Sequence, residues 1–69
     1  MSYNDIIRST LKITPERARL VEAYLRMEYG TLNHLSARDI RRNYYHGGIS
    51  YAIDANLDGA LKLAESFGL

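Results

Sequence analysis

Residues 35–69, LSARDIRRNYYHGGISYAIDANLDGALKLAESFGL, contain two helical patterns with a pair of glycines between them. Ser36 is a favourable N-cap residue, and Asp39 three positions later completes the pattern of a capping box. These two residues predict a short basic helix over residues 36–44. The glycine pair at 47–48 predicts the turn that follows this helix. The stretch therefore predicts two helices joined by a tight turn, as in a helix-turn-helix.

The second helix of this pair is predicted over residues 50–67 from apolar residues at helical spacing. The repeat consists of Ile53, Leu57, Ala60, Leu61, Ala64 and Phe67. Gly68 follows in the position where helices often end. Gly59 lies inside the pattern, where it would let another helix approach closely. The alternative is a strand over residues 49–53, in which apolar residues alternate, but a helix would then have to restart over residues 54–56 without a clear start signal.

Two further helices are predicted upstream of this pair. A serine cap with an acidic residue three positions later, followed by apolar residues at helical spacing, predicts a helix over residues 3–12. Thr14 can cap a helix and Pro15 is favoured at its first position, while Gly30 is a helix stop. These signals predict a longer helix over residues 15–29.

The predicted fold class is all-α, a small bundle of three to four helices that contains the helix-turn-helix-like pair. A chain of 69 residues is expected to form one domain over residues 1–69 with a small core, and it has no cysteine to crosslink that core. The residues expected in the core are Ile7, Leu11, Val21, Leu25, Ile40, Leu57, Leu61 and Ala64.

Composition and spacing argue against several classes of protein. No apolar run approaches the roughly 20 residues of a membrane span, and the first residues do not resemble a signal peptide, so no membrane and a cytoplasmic location are expected. His34 and His46 are twelve residues apart with no thiol near them. Asp54 and Asp58 lie one helical turn apart, but without a third ligand or a nucleophile they are expected to be solvated carboxylates. No metal, no cofactor and no enzymatic activity are therefore expected.

Charge is distributed unevenly, although the net charge is only +1. Residues 1–42 carry eight Lys or Arg against five Asp or Glu, whereas residues 43–69 carry one against three. This asymmetry indicates surfaces of opposite sign that suit different partners. The outward side of the predicted basic helix carries Arg38, Arg41, Arg42 and Tyr45. Such a cluster is either a solvated helix face or a surface that contacts phosphates and bases.

The same segment resembles the helix-turn-helix core of winged-helix domains found at the ends of some phage and plasmid primases and DNA translocases. The matching residues are Ser36, Ala37, Arg38, Asp39, Ile40 and Arg42, then Ala60, Leu61, Ala64, Gly68 and Leu69. The resemblance covers about half of the chain and includes no β-wing. It implies DNA as the partner. The outward face of the predicted recognition helix has net negative charge. Most of the attraction to phosphates would therefore have to come from Arg38, Arg41 and Arg42, with a further contribution from Arg17, Arg19 or Arg26.

Two functions follow from these patterns. The first is a small DNA-binding or regulatory module that uses Arg38, Arg41, Arg42 and Tyr45. The alternative is a phage- or plasmid-type inhibitor that binds a host protein through its acidic last helix and tyrosines. The residues of that second surface are Tyr51, Asp54, Asp58, Lys62 and Glu65. A monomer and a homodimer are both compatible with the sequence. A homodimer with Phe67 and Leu69 in its interface would cover exposed apolar surface.

Overall fold

Residues 2–69, the part of the chain that the computed structural model describes, contain five α-helices. They are α1 (Tyr3–Leu11), α2 (Pro15–Tyr29), α3 (Ala37–Tyr45), α4 (Ile49–Ala55) and α5 (Leu57–Ser66). The described residues contain no strand, so the all-α prediction is confirmed. The alternative strand over residues 49–53 is wrong, because the amide of Ala52 donates to the carbonyl of Gly48 and closes the first turn of α4.

The first three helices begin at the caps that the sequence predicts. Ser2 and Ser36 each form a capping box with the aspartate three residues later, and Thr14 accepts a hydrogen bond from the amide of Arg17. Gly30, with φ of +76°, ends α2 at the predicted residue. These short-range signals therefore fix the start of each helix.

The predicted fourth helix is in fact two helices, and the fold has five helices instead of three to four. The break lies at Asn56, whose φ of −149° and ψ of 76° are not helical. Its side-chain Oδ1 accepts a hydrogen bond from the amide of Gly59 at 3.0 Å, so Asn56 is the N-cap of α5. A Cβ on Gly59 would come within 2.4 Å of the Asn56 side chain. Gly59 thus leaves room for this cap.

The core forms around α2, which packs against α1, α4 and α5, while α3 packs on α1 and α4. Its buried apolar residues are Ile7, Leu11, Ala18, Leu20, Val21, Ala23, Leu25, Leu32, Ile40, Tyr44, Ile49, Ile53, Ala60 and Ala64. Leu57 was predicted in the core but is 54% exposed, because α5 starts at this residue and does not continue the face of Ile53. Leu61 is only half-buried and packs at the edge of the core.

Candidate nucleic-acid interface

The outward face of α3 is formed by side chains at positions i, i+3, i+4 and i+7 of the helix, which lie on one side of it. These side chains are Arg38, Arg41, Arg42 and Tyr45, and all four residues are exposed. The opposite side of the helix buries Ile40 and Tyr44 in the core. Burial of these two residues therefore fixes which way the helix faces, and the predicted residues share one surface. We call these four residues the α3 face.

Cationic charge on the α3 face is only partly neutralised within the protein. Nη2 of Arg42 lies 3.0 Å from Oδ1 of Asp39, and the Arg42 side chain remains 63% exposed. Hydrogen bonds from the backbone and side chain of Ser36 hold the pKa of Asp39 below its ordinary value of 3.8. Within residues 2–69, Arg38 and Arg41 form no salt bridge. Two guanidinium groups are therefore available for an external anion.

Tyr45 is 60% exposed, and its ring contacts the ring of Tyr44 edge to face. The two ring centroids are 5.0 Å apart and the planes are inclined by 77°. Tyr44 itself is buried, and its hydroxyl accepts a hydrogen bond from Nε of Arg17. The exposed ring therefore packs against a buried ring that a hydrogen bond from Arg17 holds in place.

Arg17 connects three helices, because it lies on α2 and binds residues of α3 and α4. Its Nη1 donates to Oδ1 of Asp54 at 2.9 Å, and its Nη2 donates to Oγ of Ser50 at 3.0 Å. Its guanidinium carbon also lies 5.5 Å from the centre of the Tyr44 ring. The hydrogen bonds to Tyr44 and Asp54 raise the pKa of Arg17, which stays charged. This network fixes α3 relative to α4.

The other arginines of α2 are also engaged inside the molecule. Nε of Arg19 donates to the carbonyl of Leu69, and Nε of Arg26 lies 3.0 Å from Oε2 of Glu22. These arginines of α2 therefore do not extend the cationic surface of the α3 face.

The residues of the alternative surface lie on two helices. Tyr51 and Asp54 belong to α4, whereas Asp58, Lys62 and Glu65 belong to α5, beyond the break at Asn56. All five residues are exposed, and Tyr51 is the most exposed tyrosine at 78%. Asp54 is engaged by Arg17, so it has a structural partner that the sequence did not reveal.

A cleft of about 280 Å³ lies between α2 and the connection from α3 to α4. It is lined by Tyr24, Met27, Glu28, Asn43, Gly47, Gly48, Ile49 and Ala52. Gly47 is required for the close approach here, because a Cβ at this position would lie 2.7 Å from the carbonyl oxygen of Asn43.

Comparison with protein-family models, curated proteins and solved structures found no match for this chain. Among residues 2–69, no group of three or more His, Asp or Glu side chains could hold a metal ion. No helix in that range is long and apolar enough to cross a membrane.

Sequence reasoning missed the residues that support the α3 face. Arg17 is separated from Tyr44 by 27 residues and from Asp54 by 37. No local spacing rule links residues so far apart. The sequence offered only a weak indication of this role. Arg17 precedes Ala18 at the start of the apolar side of α2, and the long side chain of an arginine can cover buried surface there.

Proposed function

We propose that this protein is a small, non-enzymatic nucleic-acid-binding module that contacts the DNA backbone through the α3 face. The observation that carries the proposal is the contiguous exposure of three arginines on a helix whose orientation the core fixes. Arginine presents a planar fork of donors that matches phosphate oxygens. A regulatory role would follow from occupancy of DNA and needs no chemistry at the site.

The helix that contacts DNA in this proposal is α3 and not α4. The two are joined by residues 46–48, a connection as short as that of a helix-turn-helix. In that motif the second helix normally enters the major groove. Here the second helix has only seven residues, ISYAIDA, without a basic side chain and with Asp54 on it. This helix therefore offers no positive charge to phosphates, whereas the arginines of the first helix would attract them.

Salt dependence tests the proposal, because each neutralised phosphate releases condensed counterions. Wild-type protein is expected to bind a short DNA duplex at low salt, with log K falling linearly against log salt concentration. Replacing Arg38, Arg41 or Arg42 with Ala should flatten that slope by about 0.9 per residue. Lys62→Ala is the matched control, since it removes one exposed positive charge from α5.

Equal loss in Lys62→Ala and in the α3 variants would show that only overall charge matters. Absence of wild-type binding to both duplex and single-stranded DNA at low salt would overturn the proposal. Fluorescence anisotropy with a labelled duplex measures both quantities in one titration.

A second candidate is a protein-binding module, favoured by exposed apolar side chains beside acidic ones on α4 and α5. Tyr51 is 78% exposed and Leu57 is 54% exposed. An aromatic anchor with charged neighbours is a common arrangement at protein interfaces. Asp58→Lys and Glu65→Lys would test this candidate, because they reverse charge without breaking the ion pair between Arg17 and Asp54. Retained binding of a captured partner by both variants would exclude a charge-guided interface on α5.

A further inference from the structure

Tyr45 lies at the C-terminal end of the α3 face, where phosphate binding alone gives an aromatic ring no role. It lies seven, four and three residues after the three arginines of that face, so all four side chains share one side of the helix. No arginine of α3 stacks on it among the described residues, whose one close cation–aromatic pair joins Arg17 and Tyr44. The ring is thus exposed and bordered by cations.

The ring of Tyr45 is also held in position before any ligand arrives. It packs edge to face on Tyr44, with centroids 5.0 Å apart. Tyr44 is fixed by burial and by the hydrogen bond from Arg17, which in turn is held by Asp54 and Ser50. A side chain that is already ordered loses little conformational freedom on binding. This arrangement suits a stacking contact.

We infer that Tyr45 stacks on an unpaired base while Arg38, Arg41 and Arg42 bind the flanking phosphates. The inference rests on the proposed function and narrows its ligand to single-stranded nucleic acid, or to a duplex with an unpaired base. In a matched duplex both faces of each base are covered by its neighbours, so an aromatic ring on a helix surface finds no free face. An unpaired base offers one, and stacking tolerates any base sequence.

The test compares four labelled probes of the same sequence: single-stranded DNA, single-stranded RNA, a matched DNA duplex, and that duplex with a single-base bulge. Wild-type protein should bind the single strands and the bulged duplex more tightly than the matched duplex. Tyr45→Leu should weaken binding to single-stranded DNA about 5- to 150-fold, the range expected for the loss of one stacked base. Tyr45→Phe keeps the ring and should retain the wild-type affinity.

Tyr51→Leu is the matched control, because it removes an even more exposed tyrosine from α4. Equal affinity for the matched and bulged duplexes, with no effect of Tyr45→Leu, would overturn the inference and leave the proposed function standing. No binding to any of the four probes would overturn both. Similar affinity for the DNA and RNA strands would support a contact with base and phosphate alone. A preference for one of the two strands would also support the stacking contact, and would show that the protein distinguishes the sugars.

Discussion

Arg17 is the residue on which the arrangement of α2, α3 and α4 depends most. Its guanidinium donates to Tyr44, Asp54 and Ser50, and its side chain is only 26% exposed. Exposed ion pairs contribute little to stability, but hydrogen bonds from a charged group to partly buried partners contribute more. Arg17 therefore links stability to the position of the α3 face.

Replacing Arg17 with Met should lower the free energy of unfolding by about 1–3 kcal/mol, because the buried Tyr44 hydroxyl loses the group that donates a hydrogen bond to it. Arg41→Met removes the same group from an exposed position and should change the free energy by less than about 0.5 kcal/mol. Urea unfolding followed by circular dichroism measures both. Equal stability of the two variants would show that the network contributes nothing.

Asp39 should make stability depend on pH, because its pKa is lower in the folded protein than in the unfolded chain. A depressed pKa means that the carboxylate stabilises the fold fully above its ordinary value of 3.8. That contribution is lost as the pH falls below 3.8 through the folded-state pKa. Asp5 behaves alike, since hydrogen bonds from Arg8 and Ser2 lower its pKa.

Asp39→Asn should therefore flatten the fall in stability between pH 5 and pH 2, because the variant has no carboxyl group to titrate at this cap. Glu65→Gln is the control, since Glu65 is exposed near the end of α5, away from both capping boxes. Thermal unfolding across this pH range gives the comparison. A wild-type pH profile in Asp39→Asn would contradict the role given to the capping box.

At the scale of elements, the sequence predicted helices where start and stop signals are local. Thr14, Pro15 and Gly30 set the bounds of α2, and all three act within one helical turn. The break between α4 and α5 was missed because Asn56 lies within a continuous apolar repeat. Asparagine is a favoured N-cap, yet only the backbone angles show that it acts as one here.

Asn56 and Gly59 should behave as a coupled pair. Asn56→Ala removes the cap of α5 and should cost about 1 kcal/mol. Gly59→Ala favours helix by up to about 1 kcal/mol, but in the wild-type background the new Cβ would displace the Asn56 side chain, which lies 2.4 Å away. The gain should therefore appear only in the Asn56→Ala background, and additive effects in a double-mutant cycle would contradict the coupling.

At the scale of the whole molecule, the core covers the apolar side of α4 but leaves the first residue of α5 exposed. Ile53 on α4 is 1% exposed, whereas Leu57 at the start of α5 is 54% exposed. Ile53→Ala should thus cost about 2–5 kcal/mol, and Leu57→Ala should cost less than about 0.5 kcal/mol. Denaturant unfolding of the two variants measures both costs. A similar cost for both would contradict the break at Asn56 and favour the single continuous helix that the sequence predicted.

The candidate site was predictable to the extent that it is local. Arg38, Arg41, Arg42 and Tyr45 share a face because of helical spacing, which sequence alone supplies. Their support by Arg17 depends on how α2 packs beside α3 and α4, and no spacing rule gives that packing.

The most direct test of the central claim, that nucleic acid binds the α3 face, is a residue-by-residue NMR titration. A protein of 7.9 kDa gives resolved amide signals, and weak binding at low salt is readily followed. Addition of a short DNA, first as a single strand and then as a duplex, should shift the amides of α3, with the largest changes near Arg38, Arg41 and Tyr45. Shifts centred instead on Tyr51, Asp58 and Lys62, or no shifts at all, would contradict the claim.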